Sequence, residues 1–174
     1  MTVQDFIVNY NYTFLFLHEQ FGKKAVESLW KRIEEVFCEE LRCVVAEGGL
    51  IGAMDYFYGE DGITAREMPQ GAHGATEDSY FERFDHCPSV NEMVKRGRER
   101  YPYYCEHCQW LYERAFHENG FEYKIEYGLQ SRDVISDRCM IRAWKSGGDW
   151  ADITPDSRKD PENVPEKDAE NRSK

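Results

Sequence analysis

The chain has 174 residues, 41% of them hydrophobic and 14% aromatic, which is enough apolar material for the core of one domain. A formal net charge of −11 and a pI near 4.9 argue against a general binder of phosphate backbones, so no nucleic-acid partner is expected. No run approaches the roughly 18 apolar residues that span a bilayer, and the N-terminus has no basic region followed by an apolar block; no membrane partner is expected, the cytoplasm is the expected compartment, and the six cysteines are expected to be reduced.

In residues 4–21, Phe6, Tyr10, Phe14, Leu17 and Phe21 recur in steps of four, four, three and four and predict one helix face, with Gly22 as the stop. A longer helix is expected from about Lys23 to Ala46, with Val26, Leu29, Ile33, Val36, Phe37, Leu41 and Val44 on one side and Gly48 and Gly49 at its end. The two read as a packed antiparallel pair, and the aromatic first helix is a candidate homodimer interface. Cys38 and Cys43 lie in the second helix and are expected to be packing residues.

Residues 50–78 are ambiguous: Met54 to Tyr58 suits a short helix or a strand, and Met68 to Thr76 is a loop by composition, with His73 exposed in it. Residues 79–86 alternate as a strand, with Tyr80, Phe84 and His86 on one parity and Phe81, Arg83, Asp85 and Cys87 on the other. Ser89 with Glu92 forms a capping-box pattern, so a helix is expected from about Val90 to Arg100. Its basic end, Lys95 to Arg100, suits a solvated surface. Pro102 breaks the chain, and a further helix is expected from about Tyr103 to Asn119, closed by Gly120. His117, late in that helix, is expected at the surface.

Residues 121–127 alternate strictly between apolar and charged, the pattern of a half-buried strand. A polar turn near Ser131 to Asp137 leads to a second strand, Arg138 to Trp144, its antiparallel neighbour. From Gly147 the composition turns polar, and residues 149–174 hold eight acids against five bases, so about −3 of the −11 sits there. The expected architecture is α+β: one domain over 1–148, with a helical pair over 1–48 and a small, mainly antiparallel sheet with packed helices over 79–145, then a disordered acidic tail over 149–174.

Three of the six cysteines and two of the five histidines fall within residues 86–108. Cys87 lies at a strand end beside a helix start, where backbone N–H groups favour a thiolate. Cys105 and Cys108, three residues apart, put both sulfurs on one face of the next helix, again near its N-terminus. Cys139 lies on the last strand. Three chemistries suit this group. Cys87 or Cys105 serves as nucleophile, with His86 or His107 handling protons. Alternatively, Cys105 and Cys108 form half of a metal site that Cys87 and Cys139 or a histidine complete, for which soft ligands favour zinc or iron. Thirdly, Cys105 and Cys108 form a thiol–disulfide couple.

The same residues carry a resemblance. Cys87-Pro88, Tyr104-Cys105, Gly120-Phe121 and Asp137-Arg-Cys139-Met-Ile-Arg142 resemble the pattern of the L-2-amino-thiazoline-4-carboxylic acid hydrolase-like family over about residues 79–145. Cys108 stands where that family has an acidic residue, and Ser136-Asp137 replaces its Gly-Asp. The resemblance implies a small-molecule hydrolase that opens a cyclic C=N ring with water to give a carbamoyl amino acid. Cys87 and Cys105 would be its core, supported by His107, Cys108, Cys139 and His86. The rival is an accessory or sensor protein that binds a metal or small ligand without catalysis.

Overall fold

The computed structural model describes residues 3–59, 72–84, 86–127 and 139–148. The polar turn expected at 131–137, the whole 60–71 stretch and the acidic tail lie outside these residues. In chain order the elements are α1 (Val3–Phe21), α2 (Lys23–Phe37), α3 (Glu39–Tyr58), β1 (His73–Ala75), β2 (Ser79–Phe84), α4 (Pro88–Lys95), α5 (Glu106–His117), β3 (Phe121–Tyr127) and β4 (Cys139–Lys145). The four strands form an antiparallel sheet in the order β1-β2-β4-β3, so the class is α+β. Among the described residues no helix is long and apolar enough to cross a membrane.

The N-terminal pair is in fact three helices. Gly22, at φ +81°, separates α1 from α2 as expected. The long second helix breaks at Cys38 (φ −102°, ψ 11°). One residue leaves helical geometry there, so the apolar spacing runs on and hides the break. Arg42 folds back across it: Nη1 bonds the Glu34 carboxylate and Nη2 lies 3.4 Å from the Glu35 carbonyl. The guanidinium thus satisfies carbonyls at the end of α2 that the helix itself leaves open. Within α3, Gly49 takes φ +59° and ψ −146°, a left-handed kink suited to glycine. Helix resumes after it, so Met54 to Tyr58 is helical.

The stripe facing inward is rotated from the expected one. Trp30, Val26, Leu41 and Val45 are buried, whereas Val36 is 49% and Phe37 73% exposed. Cys38 is buried but Cys43 is exposed, so only Cys38 packs in the interior. On α1, Phe14 is buried while Phe6 and Phe21 face outward.

Two apolar clusters result. Phe14, Val26, Trp30, Met93, Tyr101 and Tyr104 close the first, between α1, α2, α4 and the segment before α5. The second joins Leu50, Ala53 and Phe57 of α3 and Ala115 and Phe116 of α5 to the sheet residues Tyr80, Phe84, Tyr123, Ile125, Ile141 and Ala143. These sheet positions share one face, as the register Tyr80↔Ala143↔Tyr123 and Glu82↔Ile141↔Ile125 requires. Helix α5 borders both clusters.

Polar groups hold these layers in place. Buried Asn11 of α1 donates to the Glu99 carbonyl at 2.7 Å and accepts from the Tyr101 N–H at 2.8 Å. Glu34 of α2, 3% exposed, receives Arg42 and, at 3.3 Å, Arg114 of α5. The basic run after α4 is therefore partly structural: Arg96 pairs with Asp5 at 3.2 Å and with Glu92, while Arg100 turns to a thiol.

Candidate functional site

Cys87 is the N-cap of α4, and Pro88 takes the first helical position, where its missing N–H costs nothing. The helix thus starts at Pro88 rather than Val90, and the expected Ser89 cap does not form. Likewise α5 starts at Glu106, with Cys105 as its N-cap and a turn over residues 102–105. Tyr127 at the end of β3 donates from its hydroxyl to the Cys105 carbonyl at 2.9 Å, tying the start of α5 to the sheet. Cys139, the first residue of β4, pairs in register with Tyr127 on one side and Phe84 on the other.

These placements bring the four cysteines together. Burial, then the charges of Cys87, Cys139 and Cys105, holds Cys108 well above the ordinary thiol range. Burial, then Cys87 and Cys105, does the same for Cys139. Cys105 is raised by burial but partly relieved by Arg100, whose Nη1 lies 3.6 Å from its sulfur. The expected lowering at the helix N-terminus is therefore overcome by burial at Cys105 and Cys108, and both rest as thiols. Cys38 stands apart near Glu34 and is pushed up to about 11, chiefly by burial.

His107 belongs to this group. Its Nδ1 bonds the Tyr104 carbonyl, which only accepts, so Nδ1 carries the hydrogen. The ring packs against Tyr10, Phe14 and Tyr104, at centroid distances of 6.0, 6.1 and 4.7 Å. Burial there lowers its pKa to about 4 and leaves it neutral near pH 7. Nε2 then presents a lone pair, and the Cys108 sulfur lies 3.6 Å from it. This is a thiol facing a base whose tautomer a carbonyl fixes. His86 is exposed, as is His117, which lies 3.9 Å from both Glu113 and Glu122.

Among the described residues no three His, Cys, Asp or Glu side chains are close enough to hold one metal ion. The thiols influence one another through space, yet among the described residues they do not present a ready coordination shell.

Sequence reasoning missed Glu82. It lies on β2 between Tyr80 and Phe84, on the inward face, and is 3% exposed. Tyr58 donates to its Oε1 at 2.5 Å and Tyr80 to its Oε2 at 2.9 Å. Burial raises its pKa to about 7, against the lowering by those two hydroxyls. Its charge is felt at Cys108 and Cys139. The signal was the strand parity itself, which puts position 82 with 80 and 84.

His73, expected in a loop, lies on β1 in register with Glu82 and stacks on Tyr58, with ring centroids 3.7 Å apart and planes at 10°. Tyr58, His73, Met54 and Asp55 line an open groove of about 530 Å³. Tyr58 therefore touches the groove on one side and Glu82 on the other. Deeper in, the buried Tyr123 hydroxyl has no hydrogen-bond partner among the described residues.

Comparison with models of known families, with curated proteins and with solved structures returns no match.

Proposed function

We propose that the protein is a small-molecule hydrolase acting on a cyclic C=N bond through a cysteine-centred site at the start of α5. The supporting observation is the pairing of two thiols with their activators. Cys105 has a guanidinium at 3.6 Å, and Cys108 faces an imidazole lone pair at 3.6 Å. The resemblance of Cys87-Pro88, Tyr104-Cys105 and the Cys139 strand to thiazoline-carboxylate hydrolases points to the same substrate class.

Cys105 is the nucleophile in this reading, because Arg100 opposes the burial that raises it. Its sulfur adds to the ring carbon between nitrogen and sulfur, and a proton passes to the ring nitrogen. The bond from that carbon to the ring sulfur breaks, and the sulfur leaves as a thiol. Water then adds to the same carbon and displaces Cys105. One water is consumed and nothing is oxidised or reduced. Neutral His107 exchanges protons with Cys108 beside the reacting sulfur.

The convergence of Cys87, Cys105, Cys108 and Cys139, each within reach of the others' charge, also favours a second reading, an accessory or sensor protein that holds a small ligand or a soft metal such as zinc or iron without turnover. The test is to incubate the full chain with L-2-amino-thiazoline-4-carboxylate and simpler cyclic amidines and to follow ring loss. Turnover that disappears in Cys105→Ala and persists in Cys43→Ala supports the hydrolase. Binding by calorimetry without ring opening, or stoichiometric metal by elemental analysis with unfolding on chelation, replaces it with the second reading.

A further inference from the structure

Glu82 is the one carboxylate on the helix-facing side of the described sheet, and it has no ion-pair partner among the hydrogen bonds it makes. A buried carboxyl satisfied by two hydroxyls and no cation is poorly suited to stability alone, because ionising it there is costly. Its surroundings form a path. On the outer side, Tyr58 reaches both the open groove and Oε1. On the inner side, Cys139 of β4 stands opposite Phe84, two residues along the same sheet face from Glu82, and Cys108 of α5 packs against the apolar cluster of that face; both feel its charge. We infer that Glu82 is the proton carrier of the thiol site, exchanging protons with the groove through the hydroxyl of Tyr58.

This rests on the cysteine-centred reading for its purpose, though not for its existence. A proton released at Cys108 or Cys139 passes to the Glu82 carboxylate, which becomes a neutral acid. Tyr58 takes that proton on its oxygen as its own hydroxyl hydrogen leaves to water in the groove. Tyr58 is a neutral phenol before and after, so its strongly raised pKa is no obstacle. The carboxylate is restored and charge is conserved.

Among the described residues the titratable groups around Glu82 come from its own strand and five other elements. Tyr80 shares its strand, Tyr58 comes from α3, His73 from β1, Tyr123 from β3, Cys139 from β4, and Cys108 and Tyr112 from α5. Burial holds the phenols of Tyr80, Tyr112 and Tyr123 well above their usual range, so they stay neutral hydroxyls near pH 7. The carboxyl of Glu82, near 7, can gain and lose a proton at that pH.

The test is deuterium exchange of the Cys108 and Cys139 S–H groups in the full chain, assigned by Cys→Ala variants and followed by their infrared stretching band, beside the carboxyl C=O band across pH 5 to 9. In the wild type the carboxyl band is expected to titrate near 7. Glu82→Gln should remove that titration and slow S–H exchange on the order of a hundredfold, the low end for a positioned proton carrier. Tyr58→Phe removes a hydrogen bond that favours the carboxylate, so it should slow exchange and move the titration to higher pH. It also keeps the test open should Glu82→Gln fail to fold. Exchange unchanged in a folded variant, or a carboxyl titrating near its ordinary 4.5, overturns the relay. Absence of ring-opening turnover with the exchange effects intact overturns the hydrolase reading instead and leaves the relay standing.

Discussion

Replacing Glu82 by Gln is expected to change how stability depends on pH, and the structure sets the size. The carboxyl is raised from 4.5 to about 7 by burial. Below 4.5 it is protonated in both folded and unfolded chains, so it exacts no penalty. Between 4.5 and 7 the unfolded chain releases the proton while the folded one keeps it, so stability falls as pH rises. Above 7 both are ionised and the loss is complete. At about 1.4 kcal/mol per pH unit the interval corresponds to about 3 kcal/mol. Gln keeps the shape and can accept from one of the two tyrosine hydroxyls while its NH2 donates to the other oxygen, a change that is the same at every pH; it carries no charge, so Glu82→Gln is expected to gain that amount on the wild type between pH 4.5 and 8. Urea unfolding followed by circular dichroism at pH 4.5 and pH 8 measures it. With an m-value of roughly 2 kcal/mol per molar, the difference in midpoint between variant and wild type should change by about 1.5 M. Comparison with the wild type cancels every other titrating group, His107 included. Midpoints that move in parallel with pH would refute the reasoning, because they would mean that Glu82 is charged at no cost in the folded chain.

Four further substitutions have outcomes set by the contacts that hold these elements together. Glu34→Ala leaves Arg42 without its carboxylate in a nearly closed setting and should destabilise by about 3 kcal/mol in thermal or urea unfolding, whereas Arg114→Ala, whose side chain is 47% exposed, should cost less than about 1 kcal/mol. Asn11→Ala strands the Tyr101 N–H and should cost about 2 kcal/mol, with faster alkylation of Cys105 as the segment it holds loosens. Arg100→Gln removes the cation beside Cys105, so its thiol rises further and iodoacetamide labelling at pH 8, read by peptide mass, should slow severalfold.

Much of the fold was legible because local signals and tertiary packing agreed. The strict alternation of residues 121–127 became β3, and Gly22 and Gly120, both at φ +81°, separate elements where expected. The break at Cys38 was not legible, since it is one residue long and is bridged by Arg42 reaching Glu34 eight residues back, a pair of which periodicity contains no trace. Strand β1 was missed for a related reason. His-Gly-Ala has no alternation, and Gly74 is needed because a Cβ there would lie 2.8 Å from the Phe81 ring. At the site, Cys87, Cys105, His107, Cys108 and Cys139 were nominated from residue type and spacing, and the fold places all four thiols within reach of one another's charge. The direction of ionisation at Cys105 and Cys108 was misjudged, because spacing displays the helix terminus but not the layers that bury it. Glu82 was passed over as one more charge in a charged strand, although its parity pointed inward.

The sheet order has a kinetic consequence. Strands β3 and β4 are close in sequence, but β2 must find β4 across the intervening α4, α5 and β3. Closing so long a loop costs entropy before any ladder bond repays it, so this pairing is a late event in folding. Cys139 comes into register with Phe84 only when that ladder forms, and Glu82 meets its α5 neighbours at the same moment. Until then the thiols that end up sheltered are open to any oxidant in solution. Refolding under oxidising conditions should therefore trap mispaired chains, while the finished fold resists the same treatment.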